Sequence, residues 1–97
     1  MEQNEIVVKL LSAIKKNPEQ SQRSLSKAIG VSVGKVNYVV KELAKKGIIK
    51  TERFLNSNNK WQYRYILTPE GIKEKARITR EFVKRKMAEY ESLLNDD

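Results

Sequence analysis

The sequence contains no cysteine and no histidine. The first absence excludes disulfides and thiolate metal sites. Together they exclude His-based zinc sites, Ser–His triads and Cys–His dyads. Long apolar runs are also missing: none approaches the roughly 18–20 residues of a bilayer-spanning helix. The first residues, Met1-Glu2-Gln3-Asn4-Glu5, start acidic and lack the basic and then apolar stretches of a secretory signal. A soluble cytoplasmic protein that uses neither metal nor membrane is therefore expected. The 97 residues suffice for one compact domain and an appendage. A domain so small buries only about 60–65% of the surface its unfolded chain exposes. With crosslinks excluded, oligomerisation is the remaining source of added stability.

Positive charge is abundant. There are 20 basic and 12 acidic side chains, a net of +8. Residues 1–69 hold 13 basic and 5 acidic groups, whereas residues 70–97 hold 7 of each. A basic globular part with a neutral tail points to an anionic partner, with nucleic acid foremost. Surplus lysine that only keeps a small domain in solution is the plainer alternative. An enzyme is not expected, and no catalytic residue or cofactor is assigned. Five scattered carboxylates, without histidine or cysteine, supply neither an acid–base pair nor a nucleophile.

Four helices and one hairpin can be read along the chain. Ile6, Val7, Leu10, Leu11 and Ile14 recur at helical spacing until Asn17-Pro18 ends the first helix. Ser21 caps a short second helix with Leu25, Ala28 and Ile29 facing inward, and Gly30 stops it. Ser32 caps a third, running to about Lys46, with Val36, Val39, Val40 and Leu43 as its buried stripe. The period then changes. Ile48 to Phe54 and Trp61 to Leu67 are β-branched and aromatic, and the polar turn Asn56–Lys60 joins them as a hairpin. Trp61 is expected to plug the hairpin base, and Tyr63 and Tyr65 to pack. Thr68-Pro69-Glu70 opens a last helix that reaches about Leu94, roughly 37 Å long. Ile72, Ala76, Val83, Met87, Tyr90 and Leu94 form one stripe on it, with Ile78, Phe82 and Leu93 alongside. Ile72 and Ala76 are expected to pack on the same chain. The distal residues Ile78, Phe82, Val83, Met87, Tyr90, Leu93 and Leu94 are expected to meet a second copy.

Residues 22–41 have the spacing of a helix-turn-helix. Ser26 is small where two helices cross, Gly30 follows at the turn, and Val36 points into the core. Helix, helix-turn-helix and basic hairpin in that order make a winged-helix arrangement. The fold class is mainly α with a small β-hairpin. Residues 1–69 form a winged helix-turn-helix domain and residues 70–97 a long dimerisation helix. Opposite the core stripe of the third helix lie Gly34, Tyr38, Lys41 and Lys45, with Asn37 and Ser32 at the flank and start. In a major groove Asn37 would pair with adenine and Tyr38 would touch bases or phosphate, while Gly34 lets the backbone approach. Lys35, Lys41 and Lys45 would meet phosphates, as would Arg23 at the second helix. Arg53, Lys60 and Arg64 would let the hairpin grip an adjacent minor groove or backbone.

Gln22 through Leu43, Gly47-Ile48-Ile49 and Tyr65-Ile66-Leu67-Thr68-Pro69-Glu70-Gly71 resemble the MarR-type winged-helix transcriptional regulators of bacteria. The Leu-Thr-x-x-Gly junction is a recurrent feature of that family. Val33–Tyr38, Tyr65–Ile72 and Lys84–Glu91 are similar to its EPS-associated subgroup, which is linked to exopolysaccharide loci. The wing tip departs from the family in lacking Asp-x-Arg, and Lys60 is the cation there. The resemblance implies a homodimer that binds duplex DNA at a specific sequence and represses transcription. The competing reading is a winged helix that docks on protein without sequence-specific DNA binding. That reading calls for an apolar third-helix face.

Overall fold

Hydroxyl caps set the start of three helices. The Ser24 N–H donates to Ser21 Oγ at 3.0 Å, the Lys35 N–H to Ser32 Oγ at 3.1 Å, and the Gly71 N–H to Thr68 Oγ1 at 2.9 Å. Each bond satisfies a donor that the first helical turn leaves free. The computed structural model describes residues 2–96. Met1 and Asp97, the outer ends of the two expected domains, lie outside the described residues. Helix α1 spans Gln3–Lys16, α2 Gln22–Ile29, α3 Val33–Lys45 and α4 Pro69–Asn95. Strands β1 (Ile49–Leu55) and β2 (Trp61–Leu67) form an antiparallel pair, in register from Ile49 opposite Leu67 to Leu55 opposite Trp61.

The core is the meeting point of the expected stripes. Leu10, Leu11 and Ile14 of α1, Leu25 of α2, and Val36 and Val39 of α3 are all but sealed from solvent. Ile49 and Tyr65 close the cluster from the hairpin. The α2–α3 turn is held at Ser26, whose carbonyl accepts from the N–H of Gly30 at 2.9 Å and of Val31 at 3.2 Å. Its hydroxyl donates to the Val31 carbonyl. Gly30 has φ of +80°, a left-handed conformation that a Cβ would strain. β2 is tied to the α1–α2 connection where the Tyr65 N–H donates to the Pro18 carbonyl at 2.9 Å.

A close joint seats α4. The Thr68 hydroxyl donates to the Gly47 carbonyl at 2.5 Å, and its N–H donates to the Ile48 carbonyl at 3.1 Å. Gly71 is buried against that same carbonyl, and a Cβ placed there would come within 1.9 Å of its oxygen. The Leu-Thr-x-x-Gly run thus serves close approach of α4 to the end of α3.

Several expectations about packing are corrected. Ala28 is exposed, because only Leu25 and Ile29 of α2 reach the core. Trp61 is 57% exposed and Tyr63 is also exposed. The hairpin outruns the domain, so past Tyr65 no core lies beneath it. Ile72 and Ala76 are exposed rather than packed on their own chain. Ile78, expected at a contact between copies, is only 6% exposed in the chain's own core, with Phe82 half-buried beside it. These corrections on α4 share one cause. The seam Gly71–Ile78–Phe82 faces the body, and a second stripe lies well round the helix, given 100° per residue. That stripe, from Ile72 through Val83, Met87 and Tyr90 to Leu94, is exposed along its length.

Candidate nucleic-acid interface

The core stripe of α3 fixes which of its residues face outward. With Val36, Val39, Val40 and Leu43 buried, Gly34, Tyr38, Lys41 and Lys45 are exposed, and Ser32 is exposed at the helix start. Asn37 and Lys35 are half-buried on opposite flanks. Tyr38 is 55% exposed, and the Lys35 ammonium lies 5.4 Å from the centre of its ring. Space around Gly34 is open, the nearest approach to a Cβ being Ser32 Oγ at 4.0 Å. The face is polar and cationic, with Tyr38 and Val33 its large exposed apolar groups. Lys45 differs from Lys41 in pairing with Glu42 at 3.6 Å, which offsets its charge.

The hairpin flanks this face. Thr51, Tyr63 and Tyr65 border a crevice of about 350 Å³ whose other wall is Gln22, Asn37, Val40 and Lys41. Period-two alternation puts Arg53 and Trp61 on the same side of the hairpin as Tyr63. There the Arg53 guanidinium stacks 4.2 Å from the centre of the Trp61 ring. Lys60 is exposed at the tip, where Asn56 Oδ1 accepts from its N–H at 3.0 Å. Arg23 is exposed in the first turn of α2.

Arg64 stands apart from this group. It lies on the other hairpin face, 4.3 Å over the Phe54 ring, within 3.5 Å of Glu52 and 3.9 Å of Glu19. Two carboxylates and a ring already engage it, which weakens it as a phosphate contact.

The structure adds residues that sequence reasoning passed over. Gln22, half-buried at the start of α2, donates through Nε2 to Asn37 Oδ1 and to the Tyr65 hydroxyl, each at 3.3 Å. Trp61 and Tyr63 join the exposed hairpin face. Alternation from buried Tyr65 put all three aromatics on one side; what it lacked was how far the core extends.

Comparison with known proteins fits this geometry. Residues 3–50 match the family described as winged helix-turn-helix DNA-binding. The chain superposes on a PadR-like transcriptional regulator from Bacillus cereus with a TM-score of 0.79 and 16% identity, covering 90% of this chain and 89% of that one.

The fold is a winged helix.

The wing is the β1–β2 hairpin, and α3 is the exposed second helix of the helix-turn-helix. Two further solved structures are similar. One is Staphylococcus aureus MarR in complex with salicylate and kanamycin, with a TM-score of 0.63, 19% identity, and coverage of 89% of this chain and 56% of that one. The other is the S. aureus MepR–DNA complex, with a TM-score of 0.67, 19% identity, and coverage of 91% and 60%. The chain thus spans little more than half the length of the MarR and MepR chains. A comparison with curated proteins finds no match. At these identities the property shared with the solved structures is the fold.

Proposed function

We propose that the protein is a sequence-specific DNA-binding transcriptional regulator that acts in the cytoplasm as a homodimer. The observation that carries this reading is the outward face of α3. Ser32, Gly34, Tyr38 and Lys41 stand clear of the core, with half-buried Asn37 on their flank, on a helix that a major groove admits, in the part of the chain that holds all the net positive charge. Asn37 and Tyr38 read bases, while Lys35, Lys41 and Arg23 position the helix on phosphates. Arg53 and Lys60 carry the wing onto the neighbouring backbone, and Lys45 and Arg64 contribute less because carboxylates already pair with them. The face is too cationic to suit a module that docks on protein alone.

The dimer rests on α4. Val83, Met87, Tyr90, Leu93 and Leu94 are exposed on a helix of 27 residues, about 40 Å long, in a molecule only 26 × 20 Å across its shorter axes. A stripe of that length left to water is a self-association surface. Residues 2–69 act as the reading head and α4 as the joining element. MepR, similar in fold, is solved on DNA, and the resemblance to EPS-associated MarR regulators supports a repressor acting at an exopolysaccharide locus.

Selection of bound duplexes from a random pool tests the reading. The expected product is a palindrome with half-sites about 34 Å apart, one helical turn. Recovery of unrelated sequences at low salt refutes it.

A further inference from the structure

Gln22 joins three elements of the reading head. Its Nε2 donates one hydrogen to Asn37 Oδ1 on α3 and the other to the Tyr65 hydroxyl on β2, both at 3.3 Å. An amide nitrogen has two hydrogens, so both are committed. The two ends of this bridge are firm. Tyr65 is buried, with its own N–H bound to Pro18. Gln22 is the first residue of a helix whose start Ser21 caps. Asn37 is therefore held by its oxygen. The nitrogen, on the other branch of the same planar amide, turns away from Gln22.

We infer that Gln22 sets the base preference of Asn37. An unrestrained asparagine pairs with adenine by donating to N7 and accepting from N6. Here that oxygen already accepts from Gln22 and is tethered toward it, with one lone pair left over. What Asn37 offers the groove is a pair of donor hydrogens. Guanine presents two acceptors, N7 and O6, and suits such an edge; adenine presents its N6 donor and does not. The orientation also suits the groove at large, where acceptors outnumber donors. Guanine thus replaces adenine as the expected partner of Asn37. Gln22 is a positioning residue: it acts on the base through Asn37. The inference rests on the proposed placement of α3 in a major groove.

The test is the same duplex selection, run on the parent protein and on Asn37→Ala, Gln22→Glu and Gln22→Leu. The position whose preference vanishes in Asn37→Ala is the one Asn37 reads. There the parent is expected to favour guanine over adenine by at least about fivefold. Gln22→Glu keeps the shape but can only accept, so the Asn37 amide turns over and points its oxygen into the groove. The preference at that position is then expected to move to adenine or cytosine, whose exposed amino groups donate, with other positions unchanged. Gln22→Leu frees the amide and is expected to weaken the guanine preference at that position alone. Adenine favoured by the parent overturns the inference while leaving the proposed function standing. So does an unchanged preference in Gln22→Glu, or a loss spread evenly over all positions. A parent that selects no duplex at all overturns the proposed function and this inference with it.

Discussion

The two halves of α4 live in different solvents. Near its start the helix is clamped: Gly71 lies on the Ile48 carbonyl, and Ile78 is sealed against the core. From Val83 onward the apolar residues meet water, and exposure climbs to 74% at Leu94. Helical periodicity makes no distinction between these halves. The difference shows that an apolar stripe states a need for cover without stating who provides it. The clamped half belongs to the fold of one chain; the free half is the one proposed to meet a second copy. Charge divides earlier, at the start of α4, since residues 70–97 are neutral and residues 1–69 hold the whole excess.

The sharpest way to probe this division is at the clamp. Gly71→Ala would drive a Cβ into a backbone oxygen, and the expected cost is at least about 3 kcal/mol of stability, read by denaturant unfolding. Leu25→Ala, in the sealed core, is expected to cost about 3–5 kcal/mol by the same measurement. Leu94→Ala in a dilute sample, where chains are separate, should cost under about 0.5 kcal/mol. Equal losses for Leu25 and Leu94 would erase the contrast. Next in size is the effect of a charge on the free face. Met87→Glu is expected to halve the particle mass seen in sedimentation, while the helical signal of each chain stays unchanged. A parent protein that sediments as a single chain at high concentration defeats the proposed role of that face.

A smaller effect separates the head from the tail in DNA binding. Lys41→Ala is expected to weaken binding roughly tenfold on every sequence alike and to lower the salt slope by about one. Lys84→Ala, on α4, should leave both quantities where they were. The smallest effect concerns pH. A hydrogen bond from the Arg77 guanidinium, with lesser help from its charge and that of Lys46, holds the Glu74 carboxyl below its ordinary value of 4.5. The native state thus favours the ionised form. Its contribution is present at neutral pH and is lost as acid titrates the carboxyl through its lowered value. The pair is exposed, so Glu74→Gln should shift the neutral-pH melting temperature by little more than the error of measurement.

Much of this molecule was legible in its sequence because local chemistry decides it. Ser21, Ser32 and Thr68 announce helix starts by their hydroxyls, and all three cap as expected. The outward face of α3 follows from its core stripe by subtraction. What sequence concealed depends on distance and extent. Trp61 obeys strand alternation, yet nothing local says that the core ends at Tyr65, four positions away. Ile78 and Val83 are both apolar and both on α4; their spacing puts them on different faces, and only the packing of α4 across α1 says which face is covered. Gln22 meets Tyr65 across 43 positions, and no spacing rule connects a glutamine to a tyrosine so far away.

The seat of α4 has a mechanical consequence. With Thr68 bonded to Ile48, and no space for even a methyl group at Gly71, the long helix is a cantilever fixed at its root. A push on its far end is not absorbed by a flexible joint. It arrives at the root of the wing and at the end of α3, the parts whose aim matters most.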